Sequence, residues 1–246
     1  MFSRIIGLGI IYSEFYFDLS DGIVWTLIDF IFQSALIFII YLITVYVIES
    51  IVLYNFEYND EISKRKNISY AVICFSNSVG LAYLFKTILA VSQGSYEVLP
   101  ILWLFSTAIL GFSLKTFKYL TRLNLNFLIL QKNLSVSFVY MGFFFGLVLL
   151  LSNSIAHEIV DIKWYSIQVM LKIILSLIIL PFFRFGVVWA FNLNDDYAIK
   201  TKNKADELIE PEIGYGIFQG SLIFTSCFLT TVITGQVNFG SFYPNF

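Results

Sequence analysis

Charge is what this 246-residue chain has little of: Asp, Glu, Lys and Arg make up 13% of it, and 58% is hydrophobic with a mean hydropathy of +0.80. Ordinary soluble domains are about one quarter charged and about half apolar, so a water-exposed surface is excluded for most of the chain. Histidine is nearly missing, with His157 alone, and the two cysteines, Cys74 and Cys227, stand far apart. Metal centres and nucleophilic catalysis need clusters of such groups, so none is expected here. Nor is there a glycine-rich phosphate loop, an HExxH or a GxSxG. A net charge of −2 supplies no basic field for nucleic acid. We therefore expect no enzyme, no catalytic residues, no cofactor and no metal ion.

What the chain has instead is long apolar runs. A hydrocarbon core of about 30 Å takes roughly 20 apolar residues at 1.5 Å each. Six such runs occur: Gly22–Ile48, Ile68–Ser92, Leu99–Tyr119, Leu134–Ala156, Trp164–Phe191 and Gly214–Thr234. Strands of a membrane barrel would be about ten residues long with a polar lumen face, which these runs lack. The expected fold is all-α, a polytopic transmembrane bundle of about six spans. Cys74 and Cys227 fall inside spans, where a thiol behaves as a small buried hydrophobe. Residues 1–21 carry Arg4 and a short apolar run with no small-residue cleavage site after it, and read as an interfacial, extracytoplasmic leader.

The basic residues orient the bundle. Lys64, Arg65 and Lys66 lie between spans 1 and 2; Lys115, Lys118, Arg122 and Lys132 between spans 3 and 4; Lys200, Lys202 and Lys204 between spans 5 and 6. That is ten of fifteen on one side, against Arg4 and Lys163 on the other. Cytoplasmic loops collect Lys and Arg, so both termini are expected outside the cytoplasm. Trp25, Trp103 and Trp164 at outer span ends and Trp189 near an inner one fit an aromatic belt.

The chain also repeats itself. Lys66-Asn67-Ile68-Ser69 returns as Lys132-Asn133-Leu134-Ser135, with small Ser76 and Gly142 nine residues after each Asn and Gly80 and Gly146 thirteen after. A weaker third copy places Pro211 at the Asn position and Gly220 nine residues on. This divides the chain into a leader at 1–21 and three two-helix repeats at 22–98, 99–163 and 164–246. Small residues four apart let helices approach closely in lipid, and Asn67 and Asn133 suit helix N-caps.

The run Tyr58-Asn59-Asp60-Glu61-Ile62 through Lys66-Asn67-Ile68-Ser69-Tyr70-Ala71 to Gly80, and its second copy Lys132-Asn133-Leu134-Ser135 to Gly142 and Gly146, resemble the bacterial family called domain of unknown function 350. Tyr70, Phe138 and Tyr140 are bulky where that family tends to alanine, and the third Asn is missing. The resemblance implies a bacterial inner-membrane protein of unestablished activity.

Charges inside spans are the sharpest functional candidates, because each costs about 2.5–3.5 kcal/mol at mid-helix. Asp29, Lys86 and Lys172 each lie about seven or eight residues from an outer span end, which permits Asp29 to pair with either lysine around a small outward cavity for an anion. Snorkelling lysines are the plainer alternative. His157 reads as an interfacial polar residue or a proton sensor. Arg184, Lys115 and Lys118 reach toward headgroups, and Pro181 suits a kink. The mixed-charge segment Asn192–Glu212 suits a solvated loop or a docking site. Three functions stay open: a non-catalytic scaffold or accessory component; a channel or transporter for a small solute; and a subunit of a larger complex. The partners implied are the lipid bilayer and either a second copy or another membrane protein.

Overall fold

With no water available to backbone N–H and C=O groups in hydrocarbon, a run of this length closes its hydrogen bonds within itself and becomes a helix. The computed structural model describes residues 2–15, 22–54, 56–92, 95, 97–115, 125–159, 161–190 and 213–237. These contain eight α-helices: α1 Phe2–Tyr12, α2 Ile23–Val52, α3 Ile68–Ser92, α4 Val98–Lys115, α5 Leu125–Leu130, α6 Leu134–Ile155, α7 Ile162–Ala190 and α8 Ile213–Gln236. A π-helical turn, Asn59–Lys64, precedes α3. The protein is all-helical, and α2, α3, α4, α6, α7 and α8 are long and apolar enough to cross a membrane. The charged segment Asn192–Glu212, with Lys118 and Arg122, lies outside the described residues.

Four helices form a row in which α1 packs on α3, α3 on α6 and α6 on α8. Helices α2 and α4 flank α3, and α7 lies on α8 and α6. The most buried spans are α3 and α6, and the least buried is α7. Two ends can be distinguished. The basic end carries Lys64, Arg65, Lys66 and Lys132 and begins α3 and α6; the far end is where α3 and α6 finish.

Small residues make the row. A methyl group on Gly142 would fall on the carbonyl oxygen of Gly220, and one on Gly220 would meet the Phe138 carbonyl, so the α6 and α8 backbones touch. Gly146 sits against Cys227, and Gly216 against Ser135. Between α3 and α6, Gly80 accommodates the Phe144 ring, the Tyr140 hydroxyl donates to Asn77 Oδ1 (2.7 Å), and the Ser69 and Ser137 hydroxyls are hydrogen-bonded. Ser76 is fully buried, with its hydroxyl turned back onto the Val72 carbonyl (2.8 Å). Close backbone approach of this kind supplies packing that apolar burial does not supply in lipid.

At the basic end, Asn133 Oδ1 accepts from the Val136 N–H (3.3 Å) and Asn67 Oδ1 from the Tyr70 N–H (3.2 Å), capping α6 and α3. The lysine before each Asn is left-handed, Lys66 at φ 50° and Lys132 at φ 58°. A side chain adopts that conformation at about 1–2 kcal/mol.

At the N-terminus, α1 packs its Gly7–Ile11 face on α3 and leaves Phe2, Ile5 and Ile6 exposed. Arg4 ion-pairs with Glu49 (3.0 Å) and lies over the Tyr58 ring (5.8 Å) toward the basic end, while Ser13 and Glu14 meet Lys86 toward the far end. Gly7 fits beneath the Tyr41 hydroxyl, which donates to the Ser78 carbonyl (3.0 Å). The first turn of α1 therefore shares an end with Lys64–Lys66. Trp103 is partly buried and donates to Thr44 Oγ1 (2.7 Å).

Candidate functional site at the far end of the bundle

Counting residues from span ends placed Asp29, Lys86 and Lys172 at similar depth, but depth does not set which face a residue occupies. No residue of α2 before Ile37 is buried, so Asp29 stands on an exposed stretch and accepts from Gln33 Nε2 one turn on (2.8 Å). The carboxylate beside Lys86 is Glu14, at 3.6 Å, and the Lys86 ammonium also donates to Ser13 Oγ (3.1 Å). Lys172 is buried on α7, which packs on α8 and α6.

Lys86 and Glu14 belong to an open pocket of about 430 Å³, together with Tyr83, Thr87, Ala90, Val91, Ala156, His157 and Glu158. The end of α1, the last turns of α3 and the segment after α6 supply these walls. Two carboxylates, one lysine and one imidazole give it mixed charge. Part of the His157 ring is buried, and its Nε2 has no hydrogen-bond partner among the described residues. Burial, reinforced by the positive charge of Lys172, pulls the His157 imidazole down from 6.5 to about 4.

Helix α7 carries a polar file. Gln168, Lys172 and Ser176 follow at four-residue spacing on α7, and all three are buried. Thr230 and Thr234 are buried on α8, which packs on α7. Ser176 Oγ donates to Thr234 Oγ1 (3.5 Å), and Asn153 Nδ2 from α6 donates to the same oxygen (3.4 Å) and to the Thr231 carbonyl (3.3 Å). Lys172 is 1% exposed, and no hydrogen bond or ion pair among the described residues reaches its ammonium. A charge held in a membrane interior is a functional candidate for that reason alone.

A second polar cluster at the basic end reads as structural. Glu61 is buried, accepting from Arg65 Nη1 (2.8 Å) and Asn67 Nδ2 (2.9 Å), and Asn67 Nδ2 also donates to the Ile129 carbonyl (3.0 Å). Lys132 Nζ donates to the Arg65 carbonyl (2.7 Å), tying the two basic turns together. Sequence reasoning missed Glu61, Glu14, Glu49 and Gly216. Glu49 carried a legible signal, since a carboxylate at the end of an apolar run and Arg4 in another are natural partners.

No curated protein and no solved structure matches the chain. One family does, and it matches residues 1–89 and 94–234, nearly the whole length. With its helical spans, capped turns and glycine seams described, the chain belongs to the family described as Domain of Unknown Function (DUF350).

Proposed function

We propose that this chain is a non-catalytic scaffold or accessory component of a bacterial inner membrane. The observation that carries this reading is the α6–α8 crossing, where the Gly142 and Gly220 backbones meet and close the interior of the row. A bundle knitted by backbone contact suits a fixed structural element better than a conduit, whose helices must separate to pass a solute. The three hairpins read as parallel repeats, supported by the same left-handed lysine and capping Asn before α3 and α6. The basic turns face the cytoplasm by the loop-charge rule, which puts the first turn of α1 at the cytoplasmic side and the end of α8 at the opposite one. Its partners are lipid and either a second copy or another membrane protein.

Transport of a small solute is the second reading, favoured by one observation, the presence of both a buried Lys172 and an open pocket. Reconstitution into liposomes separates the two. A scaffold leaves the permeability of the vesicles to small organic anions and cations at the level of empty ones. Protein-dependent flux, reduced by Lys86→Ala, would overturn it in favour of transport.

A further inference from the structure

We propose that Lys172 and His157 together form a binding subsite for the carboxylate of a small organic solute, at the floor of the far-end pocket. The register of α6 against α7 places the two groups. Asn153 on α6 and Ser176 on α7 share Thr234 Oγ1, which fixes one level of the interface. Helix α6 runs toward the far end and finishes at Ile155, and α7 runs away from it. Lys172 lies one turn before Ser176 on α7, and His157 lies just past the end of α6. Tyr165 Oη donates to the Ile155 carbonyl (2.8 Å) and clamps the start of α7 to the end of α6. The two groups are near enough for the positive charge of Lys172 to act on the His157 imidazole.

Among the described residues neither group has a partner. No hydrogen bond or ion pair reaches the ammonium of Lys172, a residue only 1% exposed, and His157 Nε2 is buried without a hydrogen bond although its ring lines the pocket. An unmet ammonium in this setting is costly, and a carboxylate is the group that meets it, accepting one charge-assisted hydrogen bond from Lys172 and one from an Nε2–H imidazole. No carboxylate of the chain does so among the described residues: Glu14 is taken by Lys86, and Glu158 stands exposed. The α8 side of the contact offers Thr230 and Thr234, which carry no charge. Glu14 and Glu158 in the pocket walls repel a second negative charge, so the solute is a monoanion or a zwitterion. At about 430 Å³ the pocket accepts an organic acid of a few carbons, since a water molecule occupies about 30 Å³. This subsite goes beyond the scaffold reading and does not depend on it.

Because His157 is the single histidine, its ¹⁵N imidazole resonances report the site directly. The probe is acetate, added to the full chain in nanodiscs of zwitterionic lipid, with a bulky aromatic sulfonate at equal ionic strength as control. Acetate raises the titration midpoint of His157 by about one pH unit or more, the effect of a nearby opposite charge, and the sulfonate does not. Lys172→Met raises the midpoint without acetate and abolishes the response; where that variant does not fold, Lys172→Gln carries the same expectation. Lys64→Met, at the basic end and outside the pocket, keeps the response. A wild-type midpoint indifferent to acetate, a Lys172 variant that still responds, or a response lost in Lys64→Met would each overturn the proposal.

Discussion

Replacing Gly142 by alanine adds one methyl group to the middle of a membrane helix, and in most places that change is harmless. Here the new Cβ lands on the carbonyl oxygen of Gly220. The obstacle is backbone and cannot rotate aside, so α6 and α8 must move apart, loosening the Gly146–Cys227 and Gly216–Ser135 contacts along the same seam. Overpacking costs about 1–3 kcal/mol, and a rigid obstacle belongs at the upper end. Alanine's better helix propensity returns about 1 kcal/mol, leaving a net loss of about 2 kcal/mol. Gly186→Ala on α7 is the control, since nothing lies within 4 Å of its added methyl, and it should be neutral or stabilised by up to about 1 kcal/mol. Equilibrium unfolding in mixed micelles reads the difference, each 1.4 kcal/mol changing the unfolded-to-folded ratio tenfold. Gly220→Ala behaves like Gly142→Ala, and the double variant loses less than the sum, because helices already separated admit the second methyl. Equal stability of Gly142→Ala and Gly186→Ala would refute the claim that backbone contact holds the row together.

Three further outcomes follow from the same contacts. Asn133→Ala removes one cap and costs about 1 kcal/mol, whereas Asn67→Ala also strips hydrogen bonds from Glu61 and the Ile129 carbonyl and costs about 1–3 kcal/mol more; equal losses in unfolding assays would argue against the Glu61 cluster. Arg4→Gln leaves the Glu49 carboxylate inside the bundle without its cation, and Arg4→Gln with Glu49→Gln should recover most of the loss in a double-mutant cycle, contrary to an α1 that merely rests on the surface. For His157 the folded value lies below the unfolded one, so its contribution to stability is complete above about pH 6.5 and is lost as the pH falls toward about 4. Unfolding midpoints should therefore drop across that window in the wild type and drop less in His157→Gln.

Lipid made the spans legible. A bilayer demands a long uninterrupted apolar run, and that demand fixes α3 at Ile68–Ser92 in both sequence and structure, with the other described span ends within a few residues. Asn133 and Asn67 were legible as caps because the requirement is local: an acceptor three residues before an unpaired N–H. The placement of α1 was not legible. Eleven residues are too few to cross, and what holds α1 is protein on its Gly7 face and a salt bridge to a carboxylate 45 residues away. Asp29 and Lys86 failed to meet for a related reason: residue counts give depth along a helix, while pairing depends on which helices touch, and the first half of α2 does not pack into the core.

Lys172 shows what a lipid-facing sequence does record about contact. On a helix in water, Gln168, Lys172 and Ser176 at four-residue spacing would mark the solvated face. In lipid the sign reverses, and that stripe marks the face turned toward protein, as its burial against α6 and α8 shows. The rest of α7 presents Ile174, Leu177, Ile178, Phe182 and Phe185 outward, which is the same reversal seen from the other side. Snorkelling does not describe such a lysine. Lys172 lies ten residues into α7, about 15 Å along its axis at 1.5 Å per residue, and only 1% of it is exposed. Its position is therefore set by the α6–α8 seam, and a change that opens the seam also removes the walls around the ammonium. Gly142→Ala should for that reason move the His157 imidazole midpoint upward, toward the ordinary histidine value, although residue 142 lies fifteen positions from the histidine. A midpoint unchanged in that variant would separate the packing of the row from the chemistry of the pocket.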